Sequence, residues 1–195
     1  MTVKPTQILL SPLIVIFVVY IAVFLFQLHV VFPVEARFFP VYSATASLMF
    51  LPHAVRVLAA AIIGPKAFFL LVPATIVGSL IQSRNYGEVF NGTSLLMVLV
   101  GAASAPAGYI ILKRIMGDRF VFSELMLNWR YVFFTGIIAS AVNSVGLVAV
   151  YVAPAETTVI LNLMLRFFVG DIFGLFVGLV FLTFVFRILR NFRTA

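Results

Sequence analysis

The sequence predicts an all-α membrane protein, a bundle of about six transmembrane helices with both termini in the cytoplasm. Three observations predict this fold: 64% of the 195 residues are hydrophobic, only 10% are charged, and the apolar residues form long runs. A soluble domain is about half apolar and a quarter charged, whereas a helix that crosses the bilayer core needs roughly 20 apolar residues. We therefore expect a single integral membrane domain over residues 1–195.

The helices follow in order from these runs and from the breaks between them. The first run has no signal-peptide cleavage site, so we expect it to be retained as a helix. Gly64-Pro65 separates the second run from the third, and the polar stretch "QSRNYGEVFNG" separates the third from the fourth. Two links, "PVEARFFPVY" and "KRIMGDRFVFSELMLNWR", have the aromatic and charged composition of the membrane interface. The predicted helices are at about 9–32, 44–63, 66–82, 93–113, 130–152 and 157–189.

The distribution of basic residues predicts the orientation in the membrane. Only Arg37 and Arg84 fall on the side opposite the termini. Nine of the 13 fall on the side of both termini: Lys4, Lys66, Lys113, Arg114, Arg119, Arg130, Arg187, Arg190 and Arg193. Because basic loops stay in the cytoplasm, we expect a multi-pass protein of the bacterial inner membrane with cytoplasmic termini. The same bias explains the net charge of +7, so we predict contact with anionic lipid headgroups and no nucleic-acid partner.

Small residues at four-residue spacing mark the helix faces that pack closely in lipid. The sixth segment carries Gly170, Gly174 and Gly178, and the fourth carries Gly101 and Gly108 within "GAASAPAGY". We expect these faces to pack within the bundle. The alternatives are a homodimer contact and docking against a larger membrane complex.

Four ionisable side chains lie inside predicted helices: His53, Arg56, Arg166 and Asp171. A charge at the centre of a membrane helix costs at least ~2.5–3.5 kcal/mol, so such residues pair or face a cavity. We predict an ion pair between Arg56 and Asp171, with His53 on the same helix face as Arg56. Arg166 lies about 140° around the helix from Asp171, so we expect it to reach Glu156 or water instead.

This polar centre has three interpretations. It fixes the register of two helices, it binds an anionic or polar small molecule or senses protons, or it contacts another subunit. Asn143 and Asn162 are interpreted as ordinary hydrogen-bonding residues between helices.

The composition disfavours catalysis. The chain has no cysteine and two histidines, which excludes thiolate chemistry and disfavours a metal site built by the protein. "FVGD" is similar to the GxGD of intramembrane aspartyl proteases, but Phe168 replaces the first glycine and no second buried aspartate is predicted. No serine has a predicted histidine partner, and the sequence identifies no cofactor. We therefore expect no enzyme activity.

Two stretches resemble the membrane-associated sensor (MASE-type) domains of bacterial signalling proteins. In "LPHAVRVLAAAIIGPKAFFLLVPATIVGSLI" the matching elements are Pro52, the Ala/Leu run 58–61, Gly64 and Lys66. "FFVGDIFGLFVG" is similar to the late Gly-Asp-x-x-Gly element of that family. The resemblance implies a polytopic inner-membrane module that receives a signal and passes it to a kinase or cyclic-nucleotide domain.

The chain departs from that family in two respects. It has six predicted segments where the family often has about eight, and no output domain precedes its end at Ala195. We therefore expect a sensory or binding module that acts through a membrane or signalling protein. The alternatives are the substrate-binding membrane subunit of a transporter, by analogy of fold alone, and an accessory structural subunit of a membrane complex.

Overall fold

A computed structural model of the chain describes residues 12–39, 47–117, 129–151 and 157–193. These residues are almost entirely helical, and no strand occurs among them. In chain order the elements are α1 (Pro12–Phe26), a π-helical segment (Gln27–Val31), α2 (Phe32–Phe38), α3 (Pro52–Ile63), a 3-10 turn (Gly64–Lys66), α4 (Ala67–Tyr86), α5 (Gly92–Met116), α6 (Trp129–Tyr151) and α7 (Thr157–Arg193).

Five helical runs among the described residues are long and apolar enough to cross a membrane. They are Ile14–Phe38, Pro52–Tyr86, Gly92–Met116, Trp129–Val150 and Val159–Phe192. The shortest has 22 residues, and a helix of that length extends about 33 Å, enough to cross the hydrocarbon core. For the described residues, the prediction of an all-α architecture with several helices long and apolar enough to span a membrane is therefore confirmed. The number of crossings stays a prediction.

The first helical run continues past its predicted end at residue 32. A proline inside an α-helix removes a hydrogen bond, and its ring meets the carbonyl four residues earlier. Here Pro33 is the second residue after the wider π-helical segment. The carbonyl four residues before it belongs to that segment, whose wider turns accommodate the ring, so the helix continues to Phe38. The predicted interfacial link is thus partly helical.

The second predicted helix begins later than expected. Residues 40–46 lie outside the described part of the chain, residues 47–51 are not helical, and α3 starts at Pro52. Proline favours the first turn of a helix because its missing N–H would have no partner there. The helix ends at Gly64, whose φ of 72° lies in the left-handed region that glycine adopts readily. The α-helix is therefore interrupted at Gly64-Pro65, and a 3-10 turn separates α3 from α4.

The contacts of α3 define its direction relative to its neighbours. The Arg56 guanidinium lies against Gly101 of α5, and Gly64 lies against Tyr109, eight residues further along both segments. These helices therefore run in the same direction. In contrast, α4 and α5 pack together and are joined by residues 87–91 alone, which makes them antiparallel.

α6 runs antiparallel to α5. A Cβ at Gly108 would lie 2.8 Å from the Ala139 nitrogen, and a Cβ at Gly146 would lie 2.6 Å from a Val100 methyl. Residues late in α5 thus contact residues early in α6, and the reverse. Close contact of the two backbones at Gly108 agrees with its expected role in helix packing.

The glycine ridge of α7 packs inside the bundle. Its members are Gly170, Gly174 and Gly178. They lie against the segment 47–54, where a Cβ on each in turn would meet Ser47, Phe50 and Ala54. In addition, the Phe50 N–H donates to the Gly170 carbonyl over 2.9 Å. The ridge therefore holds the non-helical segment and the start of α3 against α7.

Candidate functional site

α3 carries two ionisable side chains into the centre of the bundle. His53 and Arg56 are 0% and 3% exposed, one helical turn apart as the sequence predicts. α3 packs against α1, α4, α5, α6 and α7, and four of its buried residues are alanines, Ala54 and Ala59 to Ala61. Small side chains let the neighbouring helices approach closely, so α3 is enclosed on several sides.

Asp171 of α7 is the carboxylate at this centre, and it is 2% exposed. Its Oδ1 lies 3.8 Å from Arg56 Nη2, and its Oδ2 lies 3.4 Å from His53 Nδ1. The shortest of the carboxylate's contacts is with a neutral group: Asn143 Nδ2 donates a hydrogen bond to Oδ2 over 2.6 Å. The structure thus places the predicted Arg56–Asp171 pair together, and it adds Asn143 of α6.

Arg56 extends the cluster to α5. Its Nη1 donates to the Gly101 carbonyl over 2.9 Å, and a Cβ at Gly101 would lie 2.7 Å from the same nitrogen. Its guanidinium carbon also lies 5.1 Å from the centre of the Phe50 ring, within the range of a cation–π contact. Gly101 therefore accommodates the guanidinium, which joins α3, α5 and α7.

His53 contacts α6 through its other ring nitrogen. Nε2 lies 3.2 Å from Ser140 Oγ and 3.4 Å from the Gly136 carbonyl oxygen. No serine was expected to have a histidine partner suited to catalysis, yet Ser140 lies in contact with His53, and this contact was not predicted. The contact was not predictable because the two residues are 87 positions apart, and their proximity depends on the rotation of two helices.

Ser140, His53 and Asp171 follow the order of contacts of a Ser–His–Asp triad, in which serine attacks, histidine takes its proton and aspartate orients the histidine. However, Ser140 is fully buried, and its hydroxyl donates to the Gly136 carbonyl over 2.8 Å. A nucleophile has to reach a substrate. These three residues are better described as a chain of polar contacts that joins α6 to α7 through α3.

The cluster contains polar atoms that its own members do not satisfy. Among the described residues, Arg56 Nε, His53 Nδ1 and Asn143 Oδ1 are buried without a hydrogen-bond partner, although Nδ1 lies near Asp171. Leaving such an atom unpaired costs about 1–3 kcal/mol. The centre thus combines a fixed cation, a titratable histidine and unused hydrogen-bonding capacity.

A second polar cluster, which was not predicted from the sequence, holds the non-helical residues 47–51. Gln27 is fully buried; its Nε2 donates to Ser47 Oγ over 3.0 Å, and its Oε1 accepts from the Leu51 N–H over 3.0 Å. Glu35 Oε1 accepts from Ser47 Oγ and from the Met49 N–H, each over 2.9 Å. Irregular backbone within a membrane is tolerated where such partners bury it. The single glutamine in the first apolar run was the available sequence signal.

The remaining predicted residues lie outside these clusters. Arg166 is half-buried on α7, and its predicted partner Glu156 lies outside the described residues. Asn162 is exposed. The part of the chain that the structure describes contains no group of three or more histidine, aspartate or glutamate side chains that could hold a metal ion.

Comparison with known protein families, curated proteins and solved structures finds no match for this chain. The resemblance to membrane-associated sensor domains therefore stays a prediction from the quoted residues. What the chain does has to be argued from its own geometry.

Proposed function

We propose that this chain is a binding or sensory module of the bacterial inner membrane, similar to MASE-type domains, that acts through a partner protein. It crosses the membrane six times, with both termini in the cytoplasm. Its signal, a polar small molecule or a proton, acts on the buried cluster around Arg56 and His53. The long helix α7 transmits the response to a membrane or signalling protein.

Support for six crossings comes from the helix directions. α3 has 12 residues, about 18 Å of helix, and residues 47–51 supply further length toward the roughly 30 Å core. α3 runs parallel to α5, and α4 runs antiparallel to both, so the chain turns back at Gly64-Pro65. Six alternating crossings then bring both termini and nine basic residues to one side.

One observation carries the sensory function: a buried ionic cluster joins four helices, and three of its polar atoms have no hydrogen-bond partner among the residues that the structure describes. A pair that served only to fix helix register would be expected to satisfy its hydrogen bonds, because each unpaired atom is destabilising in an apolar interior. Arg56 Nε, His53 Nδ1 and Asn143 Oδ1 instead offer contacts to a polar ligand or a transferred proton.

The position of the cluster couples it to helix packing. His53 and Arg56 lie in the first turns of a short helix, and that helix follows a non-helical segment held by side chains of the first helical run. A ligand or proton that binds one arrangement of α3 more tightly than another shifts the population between them. Because Asp171 contacts both α3 and α6, the shift reaches α7 directly.

We further propose that the module is not an enzyme. The chain lacks cysteine, and Ser140, which lies beside His53, is fully buried with its hydroxyl proton donated to a backbone carbonyl. The cluster therefore binds and positions groups rather than attacking a substrate.

Native mass spectrometry of the protein extracted gently from its own membranes tests this function. We expect a partner protein at fixed stoichiometry, and a loss of the bound partner or small molecule in Arg56→Gln. Arg84→Gln, which changes an exposed cation at the end of α4, is the matched control and keeps both.

The other outcomes contradict the proposal in distinct ways. A small molecule with no partner protein would favour a transporter subunit. A partner retained equally by Arg56→Gln would favour an accessory structural subunit. Wild-type protein that carries neither would leave the sensory function without support, and circular dichroism verifies that each variant is folded.

A further inference from the structure

A cavity of about 520 Å³ lies at the end of the bundle where α5 ends, away from the buried cluster. Two cationic side chains, Lys113 and Arg114, lie on one side of it, and both are exposed. The lining residues are Pro65, Tyr109, Ile110, Lys113, Arg114 and Gly117. None of these described lining residues is acidic, and together they combine two positive charges with apolar groups.

The wall is formed by the interruption between α3 and α4. Gly64 adopts a left-handed conformation there, and its Cβ position lies 3.6 Å from the Tyr109 ring. This arrangement places Pro65 beside the last turns of α5. Pro65 has no N–H to donate, and Ile110 is apolar, so this side of the cavity suits hydrocarbon or glycerol better than a hydrated ion.

The end of the bundle that holds the cavity has the residues typical of the membrane interface. α6 begins at Trp129 and runs antiparallel to α5, so Trp129 lies at the same end of the bundle as Lys113. Trp129 is 65% exposed, and the Arg130 guanidinium carbon lies 5.9 Å from its ring centre. Tryptophan and arginine together are typical of the interface between hydrocarbon and water.

We propose that this cavity binds the headgroup of one anionic phospholipid. Arg114 presents a planar fork of donors that matches two phosphate oxygens, and Lys113 adds a second positive charge. The apolar wall at Pro65, Tyr109 and Ile110 receives the glycerol and the first part of an acyl chain. Basic pockets between membrane helices on the cytoplasmic side bind lipid headgroups by this chemistry. The proposal does not depend on the sensory function.

A cavity predicts a different result from a diffuse positive surface. Basic residues at a helix end attract any anionic membrane through long-range electrostatics, and that attraction disappears when the bilayer is removed. A headgroup held between Arg114 and the Gly64-Pro65 turn stays with the protein in detergent. Arg187 and Arg190, exposed near the end of α7, serve as a matched pair of cations outside the cavity lining.

The test measures lipid retention by the full-length protein. Delipidated wild-type protein in dodecyl maltoside receives equal amounts of dioleoyl-phosphatidylglycerol and dioleoyl-phosphatidylcholine, and native mass spectrometry counts the adducts. We expect one phosphatidylglycerol per chain, unaffected by millimolar inorganic phosphate. The double variant Lys113→Gln/Arg114→Gln binds it about thirtyfold more weakly, as expected for two basic residues next to a phosphate. Arg187→Gln/Arg190→Gln keeps the adduct.

Three results would overturn the proposal. Equal retention of phosphatidylcholine would mean that the headgroup charge is not recognised. Equal loss of the phosphatidylglycerol adduct in Arg187→Gln/Arg190→Gln would mean that the total positive charge, and not this cavity, retains the lipid. Displacement of the lipid by inorganic phosphate would identify a site for soluble phosphate. Because Lys113 and Arg114 are both exposed, the double variant is expected to fold, and its helical circular dichroism and elution volume verify this.

Discussion

Asn143 of α6 donates a hydrogen bond to Asp171 of α7 over 2.6 Å, and this is the shortest of the contacts between the carboxylate and its cluster. Arg56 Nη2 lies further away, at 3.8 Å from the other carboxylate oxygen. A neutral amide thus fixes the position of the carboxylate, and the cation contributes mainly through its charge. In an apolar interior that contribution is large, because an unpaired buried charge is far more costly than a paired one.

Removal of the carboxylate is therefore expected to destabilise the bundle strongly. Asp171→Ala leaves the Arg56 guanidinium buried without a counterion, and we expect a loss of about 3–5 kcal/mol in the free energy of unfolding. Unfolding in mixed micelles with increasing dodecyl sulfate, followed by circular dichroism, measures this loss. Glu88→Ala removes an exposed carboxylate and is expected to have little effect.

A double-mutant cycle then isolates the pair. Because Arg56→Ala removes the charge that Asp171→Ala leaves unpaired, the double variant is expected to recover part of the summed loss. Strict additivity of the two single changes would contradict a direct interaction between Arg56 and Asp171.

The amide of Asn143 has a separate expected effect. Asn143→Ala removes the hydrogen bond to a charged acceptor, and we expect a loss of about 1.5–3 kcal/mol in the free energy of unfolding. The same unfolding titration measures it. Asn162→Ala is the control, because Asn162 is exposed on α7. Equal effects at both positions would show that the contact with Asp171 contributes nothing specific.

The glycine ridge leads to a prediction about packing inside the chain. A Cβ at Gly174 would meet the carbonyl of Phe50 and lie 2.9 Å from the Leu51 nitrogen. Backbone atoms cannot move aside as a flexible side chain can, so Gly174→Ala is expected to cost about 1–3 kcal/mol of unfolding free energy. Gly92→Ala is the control, since nothing lies within 4 Å of its Cβ position.

The outcome also distinguishes the two interpretations of the ridge. If Gly174→Ala leaves the unfolding free energy unchanged but releases a co-purifying protein, the ridge is an intermolecular interface. Loss of stability with the oligomeric state unchanged supports packing against the segment 47–54.

The sequence was sufficient to predict the helices, and it was sufficient to predict the pair of Arg56 and Asp171. Membrane thickness sets a minimum length for each apolar run, so spanning helices are visible in composition alone. The partner of Arg56 was predictable because a buried guanidinium requires an acid, and Asp171 is the acid deep in a predicted segment. Charge therefore restricted the choice of partner.

Neutral partners could not be identified in the same way. Gln27 and Ser47 are 20 residues apart, and His53 and Ser140 are 87 apart. Many hydroxyl and amide groups could serve each partner equally well, and the choice depends on helix rotation that one sequence does not specify. The same limit applies to the first helical run, where Pro33 suggested an end and a π-helical segment allowed the helix to continue.

The second polar cluster provides the last prediction, because it controls whether residues 47–51 stay buried. Gln27→Leu keeps the approximate volume but leaves the Leu51 N–H without its acceptor and Ser47 without its donor. We expect a loss of about 1–3 kcal/mol in the free energy of unfolding for each polar group left unpaired.

A labelling experiment tests whether residues 47–51 then become accessible. The chain has no cysteine, so a single Met49→Cys reports on this segment without further changes. Maleimide labelling at position 49 is expected to be faster in Gln27→Leu than in the parent protein. Gln82→Leu, at a half-buried position in α4, is expected to leave the rate unchanged. If labelling is equally slow with and without Gln27, the backbone of residues 47–51 is held by α7 through Gly170 rather than by the first helical run.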